Sequence, residues 1–157
     1  MLLLFMGVQD FRYRAISWYA FPLLAGLMMF ENKDFRLADA IVNIGFLLVN
    51  FILTALITSL RSKKYVNLLH AHIGLGDLLM LACLALYFTP INFFVFYLSS
   101  LLFISIAVGI YLILSKPNNY TVPLAGMQGM LLFGCILSAS MYGVKLNNIL
   151  WFENYIL

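Results

Sequence analysis

The longest stretches of the chain without Asp, Glu, Lys or Arg are residues 15–30, 40–60, 78–115 and 117–144. A bilayer core asks for about 20 apolar residues per helix. The run 78–115 is too long for one such helix, and Thr89-Pro90 breaks it near the middle. It reads as two spans joined by a tight turn. The pattern predicts six spans, at about 1–14, 16–31, 38–60, 67–88, 91–114 and 124–143. Polar segments separate them: the hairpin Glu31-Asn32-Lys33-Asp34-Phe35-Arg36, the basic loop Arg61-Ser62-Lys63-Lys64, and the turn-forming Ser115-Lys116-Pro117-Asn118-Asn119. The tail from Lys145 to Leu157 holds Trp151 and Tyr155, which suit a segment lying at the membrane interface.

The first span is short. Met1 to Val8 has no basic residue before it and no cleavage site after it, which argues against a signal peptide. The residues before Asp10 rise only about 13 Å as a helix, roughly half of a hydrocarbon core. Either translation starts upstream, or this helix enters from one face and stops at mid-depth.

Composition agrees with a polytopic membrane protein. Of 157 residues, 64% are hydrophobic and 10% charged, against roughly a quarter charged in a soluble domain. The expected fold is an all-α bundle of about six transmembrane helices, with residues 1–157 forming one domain. Cys83 and Cys135 both fall inside apolar runs and read as buried thiols rather than a disulfide framework. The net charge of +3 is too small and scattered for a nucleic-acid protein.

Charge sets the expected orientation. Arg12, Arg14, Arg61, Lys63, Lys64 and Lys116 fall on one side, and Lys33, Arg36 and Lys145 on the other. The richer side is expected to be cytoplasmic. Glu31, Asp34, Asp39 and Glu153 fall on the outer side, so Asp10 and Asp77 are the only acids on the basic face.

Asp77 is followed by apolar residues as far as Phe88. An ionisable group there costs about 3 kcal/mol on insertion scales and reads as functional, with a partner to be named. Gly74 and Gly76 remove side chains three and one residues upstream, loosening the helix and letting backbone or substrate come close. Asp10 is the natural partner, because the topology sets it at similar depth on the same side. Two carboxylates in contact share a proton and titrate as a unit. The ionised one takes a proton from water and the protonated one polarises the scissile carbonyl. No cofactor or metal is needed. Asp10 also has a plainer reading, as an interfacial acid four residues before Arg14.

At these residues the chain resembles a known family. Gly74-Leu75-Gly76-Asp77 resembles the Gly-x-Gly-Asp signature of type IV prepilin peptidases and archaeal preflagellin peptidases. Gln9-Asp10-Phe11-Arg12-Tyr13-Arg14-Ala15-Ile16 resembles that family's first motif, an Asp followed by basic residues and an Ile. Thr121-Val122-Pro123-Leu124-Ala125-Gly126 is similar to the start of its last helix. The resemblance implies an intramembrane aspartyl endopeptidase of a prokaryotic plasma membrane. Its substrate would be a pilin-like or pseudopilin precursor, cut at the cytoplasmic surface between a basic leader and an apolar helix. The chain departs from the family at three points. It lacks the segment with paired cysteines that accompanies N-methylation, so none is expected. Leu79 stands where many members have Lys, and Ser17-Trp18 where Pro-Asn commonly follows the Ile.

Other readings stay open. The two acids also suit a proton relay in a small non-enzymatic membrane protein, or an inactive relative within a secretion or pilus assembly; a transporter would usually show repeated halves, and none is seen. Presenilin-like signal peptide peptidases share Gly-x-Gly-Asp but place the acids on consecutive helices, whereas two spans lie between Asp10 and Asp77. His70 and His72 lie beside the glycine motif, as contacts to substrate or as interfacial histidines near a basic loop. Arg12 and Arg14 either position substrate or anchor the helix at the headgroups. Pro123 is a further candidate contact. Asn43, Asn50 and Thr54 on the third span are expected to hydrogen-bond between helices, and the methionines to fill the apolar interior.

Overall fold

A computed structural model describes residues 1–32, 35–62, 74–115, 122–143 and 146. Among these the fold is all-α, with no strand. Six helices follow in order: α1 Leu2–Tyr13, α2 Ala20–Glu31, α3 Leu37–Ser62, α4 Leu75–Tyr87, α5 Pro90–Ser115 and α6 Leu124–Tyr142. Three of them, α3, α5 and α6, are long and apolar enough to cross a membrane, and the chain is a membrane protein. The other three run only 12 or 13 residues, about 18–20 Å, short of a full hydrocarbon core.

The short α4 is the axis of the bundle, packing against α2, α3 and α6, while α1 lies along α6 and α5 closes against α3 and α6. The interior is aliphatic and sulfur-rich: Met6, Leu24, Met28, Met80, Leu84 and Leu132 are all buried. The outward faces are apolar too. Ile41, Leu48, Ile52 and Leu56 on α3 are more than half exposed, as a lipid-facing helix requires.

The α4–α5 corner follows from Thr89-Pro90. The residue before a proline avoids helical backbone, and proline suits the first position of a new helix, where no N–H is needed. Phe88 is extended, and the Phe93 N–H returns to the Thr89 carbonyl at 2.8 Å. The carbonyls left over at the end of α4 are taken by side chains. Asn43, 1% exposed, donates to the Ala85 and Phe88 carbonyls at 2.9 and 2.8 Å, and Asn32 donates to Tyr87 at 3.0 Å. Asn43 therefore bonds between helices as expected. Asn50 and Thr54 do not: Asn50 donates to Phe46 and Thr54 to Asn50, both within α3. Cys83 is buried as expected, but Cys135 is only partly so.

The α1–α6 contact is a backbone approach made possible by glycine. A Cβ on Gly126 would stand 3.2 Å from the Gly7 carbonyl oxygen, and one on Gly7 would stand 2.9 Å from the Met130 side chain. Small residues let membrane helices come this close.

Candidate active site

Asp10 lies in the last turn of α1, and its carbonyl accepts the N–H of Arg14, which ends the helix in a left-handed conformation (φ 53°). A carboxylate there opposes its own helix dipole, an unfavourable placement of roughly 0.3–1 kcal/mol. Its partner is on α6. The Gly126 N–H donates to Asp10 Oδ2 at 2.7 Å, and Asp10 is buried. Asp77 sits in the first turn of α4, where a negative charge is favoured. The Ala125 N–H donates to Asp77 Oδ1 at 2.8 Å.

Ala125 and Gly126 are consecutive residues at the start of α6, whose unpaired amides point out of the helix end. One helix terminus therefore holds both carboxylates. Two bonds of 2.7 and 2.8 Å to nitrogens under about 4 Å apart bound the separation of the held oxygens at roughly 9 Å. Each carboxylate keeps a second oxygen that these amides do not take.

Both aspartates border a cleft of about 1210 Å³. Its near wall is the carboxylate pair with Gly74, Gly76, Leu79 and Pro123. The far wall is α5, which presents Leu101, Ile104, Ser105, Val108, Gly109 and Leu112 at helical spacing. The geometry has a simple origin: α5 is twice the length of α4, so its second half runs past Gly74. The α1–α2 link forms the rim through Arg14, Ala15, Ile16 and Trp18. Gln9 and Ser17 pin that link, the Gln9 amide donating to Ser17 Oγ at 2.7 Å while the Ser17 N–H donates to Gln9 Oε1 at 3.1 Å.

The two glycines of the motif differ. A Cβ on Gly74 would meet Asp77 Oδ2 at 3.3 Å, tighter than ordinary contact, whereas one on Gly76 would meet only Phe21 and Ile16 at 3.8 and 4.0 Å. Close approach to the acid is thus a property of Gly74. Arg14 and Pro123 reach the cleft; Arg12 is not among its lining and lies over the Tyr13 ring, 5.6 Å from its centre. His70 and His72 lie outside the described residues. Among the described residues no cluster of His, Cys, Asp or Glu could hold a metal ion.

Gly126 carries more of the site than its motif suggested. A Cβ there would stand 2.9 Å from both Cβ and Oδ2 of Asp10, so only glycine lets that carboxylate reach the helix end. Ser17 was likewise legible only as a departure from a family pattern. No family model, no curated protein and no solved structure matches the chain.

Proposed function

We propose that the chain is an intramembrane aspartyl endopeptidase in which Asp10 and Asp77 activate water. The observation that carries this reading is the capture of both carboxylates by the adjacent Ala125 and Gly126 amides, on the wall of a cleft large enough for a peptide segment. Two acids from helices far apart in sequence, both at costly positions and both held toward one space, are more than folding requires. In the reaction one carboxylate removes a proton from water, whose oxygen attacks the scissile carbonyl carbon. The other, protonated, donates to the carbonyl oxygen. The C–N bond then breaks as the first carboxylate passes the proton it took from water to the departing amine, and the hydroxyl proton returns to the second carboxylate as the C=O re-forms. The amides at the α6 start hold the pair in register without entering the chemistry.

The apolar α5 wall suits the membrane segment of a substrate. Together with the resemblance described above, this favours a pilin-like precursor with a basic leader, cut at the cytoplasmic face of a prokaryotic plasma membrane. The test is co-expression with such precursors. Asp10→Asn and Asp77→Asn should each leave the protein in the membrane and abolish cleavage; processing that survives in both variants removes the proposal.

A further inference from the structure

Gln128 lies one turn into α6 from the carboxylate-binding amides. Its side chain is 0% exposed, and neither Nε2 nor Oε1 has a hydrogen-bond partner among the described residues. A buried primary amide left in this way is costly, on the order of 1–3 kcal/mol, and buried polar groups of this kind are ordinarily satisfied by internal water. The placement is specific. At about 100° per residue, Gln128 is offset some 40° from Leu124, which lines the cleft, and some 60° from Ala125, which holds Asp77. Its neighbour Gly129 faces Met80 of α4 and Leu3 of α1. Gln128 therefore shares a sector of α6 with Leu124 and Ala125, one turn further along the helix, and its amide is enclosed by protein.

We infer that Gln128 holds an internal water below the Asp10–Asp77 pair, and that this water supplies hydrolysis when substrate fills the cleft. A primary amide is suited to the task, because its N–H and C=O can donate to and accept from one water together. Hydrolysis consumes one water per bond cut, and a cleft occupied by an apolar segment closes the direct route from bulk solvent. Gln128 is on this account a positioning residue that acts through water and touches no substrate. The supply role rests on the aspartyl reading above; the water itself does not.

The test uses the full chain in lipid nanodiscs with Gln128→Met, which keeps length and volume but cannot hold a water, and Gln128→Glu, whose protonated carboxyl offers the same donor and acceptor. Two readouts separate the claims. Nuclear Overhauser transfer from water to the Gln128 side-chain amide should show a long-lived bound water, and its absence overturns the inference whatever the catalytic result. In the cleavage assay Gln128→Met should keep KM and lower kcat by roughly tenfold to a hundredfold, and Gln128→Glu should restore much of it. A buried amide with only a packing role predicts the reverse, since Gln128→Met would then keep kcat while raising thermal stability; that outcome overturns the supply role. If the parent protein cleaves nothing, the aspartyl reading and the supply role fall together, and the water signal alone decides whether the site exists.

Discussion

Gly126→Ala is the sharpest probe of how the site is assembled. The added methyl group would lie 2.9 Å from Asp10 Cβ, 2.9 Å from Asp10 Oδ2 and 3.2 Å from the Gly7 carbonyl oxygen. Asp10 Cβ and the Gly7 carbonyl cannot swing aside, and Asp10 Oδ2 can do so only by giving up its bond from the Gly126 N–H. Either α1 moves off α6, or the Asp10 carboxylate leaves the Gly126 amide. Overpacking of this kind costs about 1–3 kcal/mol. Loss of a hydrogen bond to a charged group adds about 1.5–3 kcal/mol. Alanine returns up to about 1 kcal/mol through helix propensity. The net expectation is a loss of about 1.5–6 kcal/mol, read as a lower unfolding midpoint of purified protein in detergent, together with loss of cleavage. Gly45→Ala and Gly134→Ala are the controls. Both glycines lie in helices with nothing within 4 Å of the added atom, so both variants should be neutral or more stable by up to about 1 kcal/mol. A Gly126→Ala protein as stable and active as these controls would refute the claim that glycine is needed for Asp10 to reach α6.

Three further outcomes follow from the geometry. Gly74→Ala should impair cleavage well beyond Gly76→Ala, because only the first added Cβ crowds Asp77; equal effects in a kinetic comparison would count against it. Asn43→Ala should lower stability by about 2–3 kcal/mol, leaving two buried carbonyls unpaired, whereas Asn50→Ala should change it by about 0.5 kcal/mol or less; thermal unfolding of the two variants side by side decides. Ser17→Ala should cost about 1 kcal/mol and raise KM more than it lowers kcat, since it loosens the cleft rim and leaves the carboxylates in place.

The helical order was legible because charge-free runs of membrane length admit few alternatives, and Thr89-Pro90 marked its corner unambiguously. The start of α2 was not. Residues 16–19 look apolar enough to join a span, yet the Gln9–Ser17 pair holds Ser17 outside the helix, and no periodicity signals a bond between two partly buried polar residues. Asp10 and Asp77 could be singled out by the cost of an acid in an apolar setting. Their means of capture could not, because backbone amides at a helix end leave no signature in side-chain identity. Gln128 escaped notice for a related reason: a glutamine among apolar residues has ordinary helix propensity, and only burial without a partner sets it apart. Asn50 shows the opposite error, where a correct helical face was read as an interhelical bond that the side chain makes within its own helix.

The most direct measurement is a double-mutant cycle on kcat/KM, using purified chain in lipid and a fluorogenic peptide that joins a basic leader to an apolar helix. Groups that act as one unit are grossly non-additive. Asp10→Asn, Asp77→Asn and the double variant should therefore all fall to the same background rate. Substantial turnover in either single variant, or losses that multiply in the double, would mean that the two acids do not work as a pair.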